Sequence, residues 1–228
     1  ADQDRVREGG NLKALTPAPG CDAAELESLR AALAGRPVWL AASTHAPEEE
    51  AVAEAHRVAA GSLPGLLTIL TPRHPKRGDG IAALLAGQGL TVVRRSRGEA
   101  PGPGTQVWLA DTLGEMGLWL RLAPVAFVGG SIAARGGHNP FEAAALGSAI
   151  LHGPATGNFA PAYAALAAAG GARMVADGAA MGAAVAALLE SAEARRAMTD
   201  AAEAVRRRLA PDVAALAREA LALIGAAP

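Results

Sequence analysis

Apolar residues in this chain come in short runs, each closed off by glycine, proline or a polar pair. Runs at 36–43, 65–71, 90–95, 106–110, 124–130, 148–153 and 172–176 are brief and nearly continuous. That pattern predicts strands buried on both faces. Segments of helical length separate them, at 46–61, 79–87, 114–123, 139–146 and 158–169, and alanine-rich helices fill 178–224. Pro47 falls in the first turn of the 46–61 segment, with Glu48, Glu49 and Glu50 following, as the dipole of a helix start favours. Strands alternating with helices predict an α/β fold: a Rossmann-like, doubly wound parallel sheet with helices on both faces.

The sequence shows no repeat of fixed period and no long linker. Because the chain opens on Ala-Asp-Gln-Asp, without Met, residues 1–20 are expected to be a remnant cut from inside a longer protein, with 21–228 forming a single domain.

Composition narrows the function. The 228 residues are 51% hydrophobic but only 3% aromatic, which suits close-packed helices on a sheet. The formal charge is −1, from 21 basic and 22 acidic side chains, so the field a nucleic-acid binder needs is absent. The single cysteine, Cys21, rules out an internal disulfide and fits a reducing compartment. No apolar run reaches the roughly 20 residues of a membrane span, and no signal peptide is expected.

Candidate chemistry gathers where strands end. In a doubly wound sheet, ligands bind beyond the carboxyl ends of the strands. The stretch Val128-Gly129-Gly130-Ser131 therefore places Gly129, Gly130 and Ser131 on the crevice, and Gly136-Gly137 precedes a helix opened by His138-Asn139-Pro140. Asn139 suits an N-cap, Pro140 the first turn and Glu142 the N3 position. Amides there would face an anion, approached closely because Gly137 has no side chain. The same spacing equally describes a capping box, with Glu142 reaching back to the Asn139 amide, and a plain turn at the glycines.

Other strand ends carry Ser43, Thr44 and His45, then Arg73 and His74, then Asp111 and Thr112 before Gly114-Glu115, and finally Asn158. Arg73 suits a phosphate or carboxylate, or is a surface arginine in a proline turn. His45 and His74 are ligand-facing or simply solvated. Thr112 with Glu115 reads first as a capping box, while a helix start at Gly114 that faces the crevice would offer its amides. Arg94-Arg95-Ser96-Arg97 reads as a solvated basic turn, or as one that meets an acidic neighbour. Asp2 and Asp4 have the spacing of a metal pair but precede the first strand. No zinc cluster, dinucleotide glycine fingerprint, nucleophile elbow or Walker lysine occurs.

In order, Gly-Asn-Leu-Lys (10–13), Ala-Ser-Thr-His (42–45), Pro-Arg-His-Pro (72–75), Arg-Arg-Ser-Arg-Gly-Glu (94–99), Asp-Thr-Leu-Gly-Glu-Met-Gly (111–117), Ala-Phe-Val-Gly-Gly-Ser (126–131), Gly-Gly-His-Asn-Pro-Phe-Glu (136–142) and Asn-Phe (158–159) resemble the C-terminal half of the bacterial 3-deoxy-D-manno-octulosonic acid (Kdo) transferases. The resemblance covers roughly residues 10–205. Ala143 stands where the family usually has Pro, and Ala155 and Gly157 where His and Phe are common.

The resemblance implies half of an inverting glycosyltransferase of GT-B architecture. Its donor would be the nucleotide sugar CMP-Kdo, and its acceptor a lipid A precursor held by an N-terminal domain absent from this chain. No catalytic residue is then expected here, because the general base would be a glutamate of that domain. No metal or other cofactor and no nucleic acid is expected. Membrane contact would come through the missing domain, at the cytoplasmic face of the inner membrane, leaving this fragment soluble and inactive alone.

The implied donor site comprises Ser43, His45, Arg73, Gly114, Glu115, Gly130, Ser131, Gly137, His138, Asn139, Glu142 and Asn158. Glu142 would take the ribose hydroxyls, and Ser131, His138 and Asn139 would line phosphate and sugar. A GT-B domain for a UDP-sugar, a non-catalytic nucleotide-binding module and an alanine-rich interaction scaffold are the competing readings.

Overall fold

The computed structural model describes residues 11–223 and 225, so Asp2, Asp4 and the glycine of the 10–13 motif lie outside it. Strands β1 (Val38–Thr44), β2 (Leu67–Pro72), β3 (Val92–Arg94), β4 (Val107–Leu109), β5 (Val125–Val128), β6 (Ala149–His152) and β7 (Ala172–Met174) alternate with helices. These helices are α1 (Ala23–Ala32), α2 (Glu48–Ala60), α3 (Gly78–Gly87), α4 (Met116–Leu122), α5 (Phe141–Ala145), α6 (Ala160–Ala169), α7 (Gly178–Glu190), α8 (Ala192–Leu209) and α9 (Val213–Leu223). All strand pairs are parallel, in the order β3-β4-β2-β1-β5-β6-β7. The α/β class and the doubly wound sheet expected from the apolar runs are both present.

Side-chain alternation along β1 divides the core. Trp39 and Ala41 pack under Val52 of α2, Leu85 of α3 and Val185 of α7. Val38, Leu40 and Ala42 face the other way, toward Leu26 of α1, Trp119 of α4, Ala143 of α5 and Leu166 of α6. Every residue of β1 except Ser43 is buried, which is why the run reads as continuously apolar. Alanine and glycine let α2 and α7 approach closely. A β-carbon on Gly182 would lie 2.6 Å from the Ala55 carbonyl oxygen.

Several expectations are corrected. Residues 11–20 pack against the domain: Leu12–Leu15 makes a short 3₁₀ turn, Ala14 is fully buried beside Phe141 and Ala162, and the Asn11 N–H donates to the Leu209 carbonyl. Helix α1 has no counterpart among the expected elements; Asp22 caps it by accepting from the Glu25 N–H. Pro47 stands just before α2 rather than inside its first turn. The alanine-rich helices expected beyond residue 178 are present as α7, α8 and α9, with Ser191 both ending α7 and capping α8. Arg94–Arg97 is no solvated turn, since Arg94 is buried between Asp111 and Asp79, and Arg95 is paired with Glu115 and Glu25.

A groove at the strand switch point

The chain winds from β1 to β2 on one side and returns to β5 on the other, so strand order reverses at β1 and β5. A crevice opens beyond the carboxyl ends of such a pair. Here it is a two-lobed groove. One lobe, of about 220 Å3, is lined by Ser43, Arg73, Met116, His138, Asn139 and Glu142. The other, of about 230 Å3, shares Ser43, Arg73, Met116 and Glu142 and adds the turn Thr112–Glu115. A larger depression of about 770 Å3 lies between α2 and the start of α7. It is open and acid-rich, and the switch point is elsewhere, so the groove carries the candidate chemistry.

The groove walls keep several polar groups uncommitted. Arg73 and Glu142 make no side-chain hydrogen bond or ion pair among the described residues, although both line both lobes. Burial pushes the Glu142 carboxyl above the ordinary glutamate value. Ser43 sits where β1 shifts register, with φ +55°, a left-handed conformation costly for a residue with a side chain. Helix α5 has only five residues. The Asn139 carboxamide oxygen accepts from the Phe141 N–H at 3.1 Å, and its NH2 has no partner among the described residues. The expected return bond from Glu142 to the Asn139 amide does not form.

The glycine-rich loop has another role. Glu48, fully buried, reaches from the start of α2 into the turn after β5. Its Oε2 accepts from the N–H groups of His45 at 2.9 Å and Gly130 at 2.8 Å; its Oε1 accepts from Ser131 at 3.0 Å, Ile132 at 2.9 Å and Ala133 at 3.3 Å. Successive amides in a turn make an anion nest, and here the chain's own carboxylate fills it.

The expectation that Gly130 and Ser131 present themselves to a ligand is therefore corrected. The Gly130 amide is taken. Ser131 is fully buried, with its hydroxyl donating to the Val128 carbonyl and accepting from the Gly153 N–H, each at 2.7 Å. Gly137 donates to the Gly130 carbonyl at 2.9 Å, and the Asn158 carboxamide donates to the carbonyls of Arg135 at 2.8 Å and Gly137 at 3.4 Å. Both groups hold the loop rather than face the groove.

The close approaches that demand glycine are thus to protein. A β-carbon on Gly130, at φ +71°, would lie 3.0 Å from the His138 ring, and one on Gly136, at φ +82°, 2.6 Å from the Asn158 carboxamide. Gly136→Ala is expected to lower unfolding free energy by about 1–3 kcal/mol, measured by urea denaturation; an unchanged midpoint would mean the loop is free to move.

Glu115 likewise belongs to a wall. Its carboxylate is bound by Arg95 at 2.6 Å and by the Thr112 hydroxyl. Helix α4 begins at Met116 with Glu115 at its cap, so the expected Thr112 capping box does not form. Gly114, at φ +85°, turns the chain along the second lobe. His45 and His138 meet through their Nε2 atoms at 2.9 Å, with rings stacked 16° apart. Burial lowers the pKa of both, so each tends to be neutral and one donates to the other. Among the described residues no three His, Cys, Asp or Glu side chains converge as metal ligands.

No family model matches the chain. Curated relatives include 3-deoxy-D-manno-octulosonic acid transferases of Haemophilus influenzae, 44% identical over 54% of this chain and 29% of that protein, and of Bordetella pertussis, 48% identical over 55% and 30%. The chain spans less than a third of the length of these relatives. Among solved structures, the C-terminal CMP-Kdo binding domain of WaaA from Acinetobacter baumannii superposes with a TM-score of 0.76 at 34% identity, over 80% of this chain and 96% of that domain. WaaG, a glycosyltransferase involved in lipopolysaccharide biosynthesis, shares the fold alone, with a TM-score of 0.53 at 14% identity, over 90% of this chain and 52% of that one. On that coverage and identity, the chain belongs to the 3-deoxy-D-manno-octulosonic acid transferase family and corresponds to the C-terminal domain of its members.

Proposed function

We propose that this chain is the donor-binding half of an inverting glycosyltransferase that moves Kdo from CMP-Kdo to a lipid A precursor in lipopolysaccharide biosynthesis. A preceding N-terminal domain would hold the acceptor, supply a glutamate general base and meet the cytoplasmic face of the inner membrane. No helix among the described residues is long and apolar enough to cross a membrane. The observation that carries the reading is the switch-point groove in which the Arg73 and Glu142 side chains stand with no hydrogen-bond or ion-pair partner among the described residues. It is supported by likeness to a domain that binds CMP-Kdo.

The parts divide the labour by charge. Arg73 meets the phosphate with a delocalised cation, helped by the short α5 head and the Asn139 carboxamide. The phosphate gains charge as the sugar leaves, so donors fixed in advance lower the barrier. Glu142 accepts from ribose hydroxyls, which favours its ionised form and offsets the cost of its burial. The lobe formed by Thr112–Met116 is left for the pyrimidine. This reading gives the phosphate to protein donors and assigns no step to a metal ion.

Calorimetric titration tests it. Arg73→Ala and Glu142→Ala should each weaken CMP binding by about 1–3 kcal/mol, since each removes a charge-assisted bond, while leaving the urea midpoint in place. UDP titrated alongside CMP separates the present reading from a UDP-sugar domain. Unchanged CMP affinity in both variants would remove the groove from the account.

A further inference from the structure

A second cavity, of about 310 Å3, adjoins the groove and is bounded by His45, His74, Arg77 and Arg135. We propose that it takes the carboxylate of the donor's sugar acid, separately from the phosphate. The proposal rests on the CMP-Kdo reading and adds the part of the donor that distinguishes an ulosonic acid from a neutral sugar.

Position is the first argument. His45 belongs to this cavity and His138 to the groove, and their 2.9 Å contact forms the partition between the two. In an ulosonic acid donor the anomeric carbon carries both the phosphate oxygen and the carboxylate. The two anionic groups therefore need two positive subsites side by side. Arg73 stands on the groove side and Arg135 on the other.

Charge is the second. Arg77 is held by Glu49 through paired bonds of 2.8 and 3.1 Å, so its charge is matched and it serves as a fixed wall. Arg135 has no such partner among the described residues, and His74 meets only the edge of His45, with ring centroids 5.6 Å apart. The acids nearby do not compete, since Glu48 is filled by amides and Glu49 by Arg77 and Thr44.

The third argument is preorganisation. The Arg135 backbone is pinned by its N–H to the Gly130 carbonyl at 3.0 Å and by Asn158 on its own carbonyl at 2.8 Å, while its guanidinium stays free. A fixed backbone carrying an unpaired guanidinium beside a histidine is suited to capturing a carboxylate in paired bonds.

The test titrates this chain with CMP, with CMP-Kdo and with CMP-Kdo whose carboxyl is a methyl ester. The unmodified chain should bind CMP-Kdo about tenfold more tightly than the ester, the scale of one charge-assisted bond. Arg135→Ala and His74→Ala should bind CMP unchanged and lose that advantage, and Arg135→Lys should keep part of it. Equal binding of CMP-Kdo and its ester by the unmodified chain overturns the carboxylate subsite while leaving the nucleotide groove standing, as does an advantage undiminished in the variants. Failure of CMP itself to bind overturns both.

Discussion

Glu48→Ala is expected to remove about 3–5 kcal/mol of unfolding free energy, the scale of breaking a buried charged network. The carboxylate accepts from the backbone of His45 and of Gly130, Ser131, Ile132 and Ala133. Truncation leaves those N–H groups without an acceptor, those of Gly130 and Ser131 buried and the others half-buried, and each unsatisfied buried donor costs about 1–3 kcal/mol before water enters. Glu48→Gln keeps the shape but turns an NH2 toward at least two donors, so it should fall between the alanine variant and the parent. The nest itself survives in Glu48→Ala, because its geometry belongs to the backbone. Formate or acetate should therefore restore part of the lost stability, and neutral acetamide should not. Urea unfolding of the variants with and without each additive reads this directly. Equal rescue by acetamide would show that filled volume, rather than negative charge, is what the loop requires. Because the nest includes the His45 amide and Gly130, which lies against the His138 ring, CMP-Kdo binding should weaken in the same variant and recover with the same anions.

How far the sequence exposes this arrangement depends on the kind of signal. The inner strands β1, β2, β4, β5 and β6 coincide with the apolar runs because both faces of a parallel sheet are covered there, and alternation is replaced by continuity, whereas the edge strands β3 and β7 are only partly buried. Helix α1 escapes because only Leu26 among its residues is buried, which leaves little apolar period to see. Its available signal is Asp22 followed by Glu25, an N-cap acid with a first-turn acid. Glu48 escapes for a different reason. In Pro-Glu-Glu-Glu-Ala it looks like one more solvated acid in a helix's first turn, and four of its five donors are more than 80 residues away. The paired glycines do announce a close approach, but spacing cannot say to what. A phosphate, the Glu48 carboxylate and the His138 ring all ask for a bare backbone. Of the strand-end residues, Ser43, Arg73, Gly114, His138, Asn139 and Glu142 reach the groove, His45 lines the adjoining cavity, and Glu115 reaches the groove with its carboxylate already bound. Ser131 and Asn158 instead spend their side chains on the loop.

Asp111→Ala should cost about 3 kcal/mol, since it leaves a buried guanidinium with a solvent-facing partner only. Asp111 lies two residues beyond Leu109, the end of β4, with a side chain 1% exposed. It accepts from Arg94 Nε at 2.9 Å and Nη2 at 2.6 Å, and from the N–H and hydroxyl of Ser96 at 3.0 and 2.8 Å. Burial on its own would push this carboxyl up. The Ser96 amide, then the Arg94 guanidinium, outweigh burial and leave it below the ordinary aspartate value. A depressed carboxylate pKa contributes stability that is present above the unfolded value, about 3.9, and is lost as pH falls through the folded one. The gap between parent and Asp111→Ala should therefore be full at pH 7 and narrow when urea unfolding is repeated near pH 3. A gap that keeps its size would trace the loss to packing, and Asp111→Asn, which preserves the volume, would then unfold like the parent. The same network fixes the groove. Thr112–Glu115 follows directly, and Arg95 clamps Glu115 at its far end, so the lobe assigned to the pyrimidine hangs between two arginine–carboxylate pairs. Asp111→Ala should accordingly weaken CMP binding together with stability, whereas Glu142→Ala weakens binding alone; that contrast separates a residue that shapes the lobe from one that touches the nucleotide.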